Sequence, residues 1–156
     1  MNRQEFSRRV LALEGRLHRI SYGLLRNAQD QQDAVQEAVL KAWQKLGGLR
    51  REEFFETWLT RILINECYNL LSARKNALPL EAVPETKEMP EGKDCSLHDA
   101  LLRLEEKLRL PVMLHYMEGY RVREIAGILK LPEGTVKTRL ARAKRELKKY
   151  LEEEER

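Results

Sequence analysis

Between Glu133 and Lys149, seven Lys and Arg side chains stand against two acids, Glu133 and Glu146. Lys137, Arg139, Arg142, Lys144, Arg145, Lys148 and Lys149 surround a seam of Val136, Leu140, Ala143 and Leu147 that recurs at helical spacing. A helix buried along one side and cationic around the rest can enter a DNA groove. With Thr135 to Arg142 as its leading end, Lys137, Thr138 and Arg142 are expected to project together at i, i+1 and i+5, where side chains of such a helix reach bases and phosphates. A bidentate base contact discriminates by about 1 to 3 kcal/mol, and each neutralised phosphate adds a salt-dependent slope of about −0.9. A plain αα-corner with a solvated basic face is the bland alternative.

Two further constellations precede it. In D-A-V-Q-E-A-V-L-K-A-W, from Asp33 to Trp43, Asp33 and Glu37 are one helical turn apart, as are Gln36 and Leu40. All four point away from the apolar stripe. An acidic, hydrogen-bonding patch around one exposed leucine suits docking to a basic protein partner, although solvated outer faces share this character. Downstream, Arg61, Asn65 and Asn69 fall at successive i, i+4 steps, with Trp58 and Tyr68 close by. Amides and guanidinium groups hydrogen-bond free base edges, and aromatic rings stack on them, which suits unpaired DNA better than closed duplex. Trp58 and Tyr68 fit equally well as edges of a core.

The elements that must position these residues are all helical. Phe6, Val10, Leu13, Leu17, Ile20 and Leu24 predict a first long helix ending near Arg26. Asp30 is the expected N-cap of a second, with Val35, Ala38, Val39, Ala42 and Leu46 as its apolar stripe and Gly47-Gly48 as its stop. A third, from about Glu53 to Ser72, buries Leu59, Leu63, Cys67 and Leu70 or Leu71. From Lys75 to Cys95, Pro79, Pro84, Pro90, Gly92 and scattered acids leave little apolar surface to bury. Periodicity returns at Ser96, whose S-L-H-D run resembles a capping box, followed by Leu97, Leu101, Leu104 and Leu108. Pro111 suits the first turn of the next helix, Gly119 its end, and Val122 to Leu129 a short helix before the turn at Pro132. Ala126 and Val136, with Ile125, Leu129, Leu131 and Leu140, have the spacing of a helix-turn-helix wedge. The Glu152 to Glu155 run, at the negative end of the last helix, is expected to fray and stay solvated.

No period-two run argues for strands. The expected fold is all-α, with two small helical domains (1–75 and 97–156) joined by a flexible linker (76–96), the second a helix-turn-helix without wings. A chain of 156 residues, 35% charged and with formal net charge +4, fits small, highly charged units better than one thick core. Cys67 and Cys95 make no metal-site spacing, and His18, His98 and His115 lie far apart, so no metal or cofactor is expected. Cys67 shares the spacing of Leu59 and Leu63 and reads as a small buried side chain. No catalytic triad, metal cluster or phosphate-cradling glycine loop supports an enzyme. The start M-N-R-Q-E-F-S-R-R has no apolar signal core, and no run approaches about 18 apolar residues, so a cytoplasmic protein without membrane insertion is expected.

These residues, in this order, resemble the extracytoplasmic-function (ECF) group of the sigma-70 family, promoter-recognition subunits of bacterial RNA polymerase. The resemblance rests on Asp33 to Trp43, on F-E-T-W-L-T-R-I from Phe55 to Ile62 with Asn65, and on E-I-A-G-I-L-K-L-P-E-G-T-V-K-T-R-L-A-R-A from Glu124 to Ala143. It implies docking on the clamp helices of the largest polymerase subunit through Asp33, Gln36, Glu37 and Leu40. It implies that Trp58, Arg61, Asn65 and Asn69 serve the melted minus-ten element, with the loop from Leu46 to Phe54 capturing a flipped base. The carboxy-terminal domain would hold the minus-thirty-five duplex through Thr135, Lys137, Thr138, Arg139 and Arg142, and the linker would thread toward the active-site channel. Many relatives are held inactive by an anti-sigma factor, which adds such a protein to core polymerase and promoter DNA as expected partners. Leu49 stands where the family often has Phe, Arg51 and Lys130 where Gly is frequent, and His115 where some relatives carry a DNA-contacting Arg. A stand-alone helix-turn-helix regulator is the alternative, and it leaves Arg61, Asn65 and Asn69 idle.

Overall fold

A computed structural model describes residues 1–77 and 95–154 and contains eight α-helices and no strand among them. The chain divides into two compact units, Met1–Thr86 and Lys87–Arg156. The segment between the fourth and fifth helices, which holds most of the expected linker, lies outside the described residues.

Unit 1 begins with α1 (Arg3–Ala12), capped by Asn2, whose Oδ1 accepts the Glu5 N–H at 2.9 Å. The long first helix expected from the stripe is in fact two. The chain tightens at Leu13, whose N–H donates to Val10 O at 3.0 Å, and restarts as α2 (Glu14–Leu25). A one-residue break hardly moves the apolar face, so periodicity alone runs through it; Gly15 just beyond weakens the helix locally. Arg26 closes α2 in the left-handed conformation, φ 54°.

The next helix, α3 (Ala28–Gln44), is capped by Asn27 and not by Asp30: Asn27 Oδ1 accepts the Asp30 N–H at 3.0 Å. Asp30 instead sits in the first turn, where its carboxylate meets the helix dipole and pairs with Arg74. The stripe is also rotated from the expected one. Ala34, Ala38 and Ala42 are buried, while Val35 and Val39 are half-buried. Small residues every four positions let α3 lie close against α4 (Phe55–Ala77), a contact that the bulkier valines would hold apart. From α4, Leu59, Leu63 and Cys67 are completely buried, as expected, whereas Leu70 and Leu71 are half-buried.

Unit 2 opens with α5 (Cys95–Arg103), so Ser96 falls within the helix and is not its cap; the side chain of Ser96 lies outside the described residues. In α6 (Glu106–Val112) Pro111 sits near the end, not in the first turn. Its missing N–H leaves the Lys107 carbonyl without an intrahelical donor, and the chain widens directly afterwards into a π-helical turn, Met113–Met117. Gly119, at φ 77°, ends this segment. The remaining helices are α7 (Val122–Leu129) and α8 (Glu133–Glu154). Leu104, Leu108, Leu114, Ile125 and Val136 form the centre of this core. The acidic end of α8 stays helical through Glu154 and is not simply solvated: Arg103 lies over the Tyr150 ring at 4.0 Å and reaches Glu153 at 3.4 Å.

Candidate nucleic-acid interface

In unit 1, Asp33, Gln36, Glu37 and Leu40 are all exposed on the outer face of α3, Leu40 by 50%. Gln29 donates to Asp33 at 3.2 Å from one turn earlier. Gln36 and Leu40 also border a shallow groove lined by Phe6, Val35, Val39 and Trp43, so apolar surface adjoins the acids. On the flank of α3 between this face and the buried alanines, Lys41, one turn after Glu37, ties the helix to α4 by donating to the buried Glu66. That hydrogen bond raises the Lys41 amine above its ordinary value of 10.5, with Glu66 and Glu37 adding negative charge nearby against a desolvation penalty.

Along α4 the seam and the outer face separate cleanly. Asn65 and Asn69 are exposed, Arg61 and Trp58 half-buried, and Tyr68 is 37% exposed. Trp58 leans on the buried Phe55 with ring centroids 6.0 Å apart, so it borders the core while one edge remains accessible. The connection before α4 is two 3₁₀ turns, Leu46–Gly48 and Glu52–Phe54. Leu49 between them is half-buried, and Phe54 is 52% exposed. Phe54 ends the loop that the resemblance implies for base capture but was not named there as a contact residue; it precedes Trp58 by four.

In unit 2 the turn between α7 and α8 is closed by Lys130 in the left-handed conformation, φ 55°, ψ 49°. The following Leu131 N–H donates to Ala126 O at 3.0 Å, the long-range bond of a Schellman turn. The conformation expected for a glycine-favouring position is thus present in a residue with a Cβ. Ile125, Ala126, Val136 and Leu140 are buried where the wedge requires them. Of the expected groove residues, Thr135, Thr138, Arg139 and Arg142 fall at i, i+3, i+4 and i+7 on one flank of α8, while Lys137 stands on the other flank. Lys137, Thr138 and Arg142 are exposed, and Thr135 and Arg139 half-buried. Thr138 donates its hydroxyl to Gly134 O at 2.9 Å, leaving its methyl and lone pairs to face outward. Arg142 is held between two carboxylates, Glu105 at 3.6 Å and Glu146 at 3.4 Å. His115 is engaged in closing the turn after the π-helical segment, with Nδ1 2.9 Å from Tyr120 O. Among the described residues no cluster of His, Cys, Asp or Glu could hold a metal ion, and no helix is long and apolar enough to cross a membrane.

An all-α chain with one unit exposing amides beside an acidic helix face, and another built on a helix-turn-helix, defines a class of nucleic-acid-binding protein. Comparison narrows it. The Sigma-70 region 2 family model matches residues 10–77, and the Sigma-70, region 4 model matches residues 96–147. The ECF RNA polymerase sigma factor SigM of Mycobacterium tuberculosis is 34% identical over 139 residues, covering 86% of this chain and 71% of that protein. The RNA polymerase sigma-H factor of Pseudomonas aeruginosa is 29% identical over 170 residues, covering 97% and 88%. Among solved structures, the sigma factor RpoE from Bartonella quintana, in complex with the anti-sigma factor NepR, has the same fold. Its TM-score is 0.79 at 24% identity, over 96% of this chain and 98% of that one. The chain belongs to the ECF group of the sigma-70 family, the sigma factors that direct RNA polymerase to promoters. The match over residues 10–77 decides against a stand-alone helix-turn-helix regulator.

Proposed function

We propose that this sigma factor divides its work between its two domains, 1–75 and 97–156. The first docks on the clamp helices of the largest subunit of core polymerase through Asp33, Gln36, Glu37 and Leu40. It reads the melted minus-ten strand with Trp58, Arg61, Asn65 and Asn69. The second holds the minus-thirty-five duplex through Thr135, Lys137, Thr138, Arg139 and Arg142. The protein performs no covalent chemistry and needs no cofactor; polymerase supplies catalysis. Trapping extruded bases on the protein shifts the closed-to-open equilibrium by the affinity for the open strand. It works in the cytoplasm, where polymerase and promoter are, and an anti-sigma protein is its expected inhibitor, as one accompanies the RpoE relative.

The observation that carries this reading is the exposure of two chemically different faces in unit 1: acids with a leucine on α3, and amides with aromatics on α4. A factor that only gripped duplex would have use for neither. Polymerase pull-down with Asp33→Ala/Glu37→Ala tests the docking face. Loss of association, with upstream duplex binding by the carboxy-terminal domain retained, is expected, and unchanged association would count against it. For strand reading, Asn65→Ala should impair open-complex formation more than duplex binding; equal loss in both would remove that role.

A further inference from the structure

Arg142 is set apart from the other exposed cations of α8. Its Nε donates to Glu146 Oε1 at 3.4 Å, and its Nη2 lies 3.6 Å from Glu105 Oε1. Nε and Nη2 form one edge of the guanidinium, so both carboxylates meet that edge, and the outer edge, Nη1 with the second Nη2 hydrogen, is left open. The exposed amines of Lys137, Lys144, Lys148 and Lys149 have no carboxylate partner among the described residues. Glu105 is held in place by its backbone. It stands at the start of α6, where its carbonyl accepts the Leu108 and Arg109 N–H groups, each at 2.9 Å. Leu104 before it and Leu108 after it are buried, and Arg109 Nη1 donates to Leu104 O at 3.1 Å. Glu146 is steadied in turn by Tyr150, whose hydroxyl donates to its Oε2 at 3.5 Å and whose ring lies under Arg103. Arg142 and Glu105 are each about half exposed, so their pairing adds little to folding. Its consequence falls on what Arg142 can meet in the groove.

We propose that Glu105 determines specificity for the upstream duplex, as a positioning residue that turns Arg142 from a phosphate contact into the reader of a guanine. This rests on the groove-binding role proposed above for α8. With Lys107 3.9 Å from its other oxygen, Glu105 belongs to a cluster of two cations and two carboxylates whose charges cancel. A phosphate gains little by approaching a neutral cluster, and the carboxylates repel it. A base edge carries no net charge and needs only donors. The open edge of Arg142 offers parallel N–H groups, matched to the O6 and N7 acceptors that guanine alone presents together in the major groove. Attraction to phosphate is thus left to the unpartnered lysines, and base choice to Arg142.

The test uses holoenzyme assembled from the full-length chain and core polymerase, with the upstream duplex of a promoter that this holoenzyme transcribes. Each base pair of the upstream element is replaced in turn. For the natural protein, replacing one G·C pair, or exchanging its guanine for 7-deazaguanine, should weaken binding about tenfold, and Arg142→Ala should abolish that preference. Glu105→Gln should bind every duplex more tightly, shrink the preference to about threefold or less, and steepen the slope of log affinity against log salt by about 0.9. Glu105→Asp, which keeps the charge, should keep the natural slope. In the Arg142→Ala background Glu105→Gln should change neither preference nor slope, the non-additivity expected of residues acting through one site. Equal tightening on natural and replaced duplexes, with the preference intact, would refute the role of Glu105. If Lys137→Ala weakens duplex binding and Arg142→Ala changes no base preference, the guanine assignment is refuted while the groove reading of α8 stands. If neither variant weakens binding, both are refuted.

Discussion

The two longest helices, α4 in unit 1 and α8 in unit 2, have nearly the same length, 23 and 22 residues, and the same packing plan of one buried seam and one open face. What they expose differs. The open face of α4 carries two asparagines, one arginine and aromatic edges, whereas that of α8 is crowded with Lys and Arg. Amides recognise base edges that pairing would conceal, while dense cation recognises the regular phosphate array of a duplex. On the proposed reading, equivalent architecture is directed at two states of DNA by the chemistry of the outward residues.

The largest expected effect breaks that comparison on one side. Leu63 is fully buried in the α4 seam, and Leu63→Ala should cost about 2 to 5 kcal/mol by leaving a cavity. Denaturant unfolding of the full chain should show this loss, and strand binding should fall while upstream duplex binding by α8 survives. A parallel fall in duplex binding would mean that the helices do not act separately.

A smaller effect sharpens the contrast. Arg142→Ala should weaken upstream duplex binding by about 1 to 3 kcal/mol if it reads a base. If it neutralises a phosphate instead, the slope of log affinity against log salt should fall by about 0.9. Asn65→Ala should change strand affinity at every salt concentration without changing that slope. Titrations between low and moderate salt separate the two, and a salt-dependent Asn65 effect would undo the distinction. Because Glu105 and Glu146 already hold Arg142, part of its attraction to DNA is offset in the free protein. Glu105→Gln should therefore tighten duplex binding modestly.

Each unit also closes a helix with a cation in the left-handed region, Arg26 and Lys130. Arg26→Gly and Lys130→Gly should each stabilise by about 1 kcal/mol or less, the relief of Cβ crowding being offset by unfolded-chain entropy. Thermal unfolding of the two variants checks this, and destabilisation by either would show that its side chain contributes more than the strain it carries.

The smallest expected effect concerns pH. Lys41 has its amine raised above 10.5 by Glu66, so its contribution is complete below 10.5 and declines only as pH climbs through the higher folded value. The pH dependence of stability from pH 7 to 9 should therefore be the same with Lys41 and with Lys41→Arg. A step in that interval confined to the natural protein would contradict the assignment.

Most of the fold could be read from the residues because helix patterns are local. Val122 to Leu129 has the expected bounds, and Leu59, Leu63 and Cys67 are buried as their spacing requires. The failures share a cause, which is that several residues competed for one role. Asn27 and Asp30 can each cap a helix, and the preceding left-handed Arg26 favours the earlier one. Val35 and Val39 are more apolar than Ala34, Ala38 and Ala42, yet close approach of α4 selects the small side chains. The candidate faces were legible as residue types at helical spacing. Phe54 was not, because an exposed phenylalanine at the end of a loop has the same signature in sequence as a buried one.

By itself the sequence determined that the chain is built of helices, that each carries one apolar side, and which outward positions carry acid, amide or cation, because each follows from residue type and a period of 3.6. Only the tertiary structure decided which alanines or valines meet a neighbouring helix, that Arg9 reaches across to the Glu52 turn, and that Phe54 remains outside. Those outcomes depend on the distance between elements far apart in the chain, and no local pattern encodes that distance.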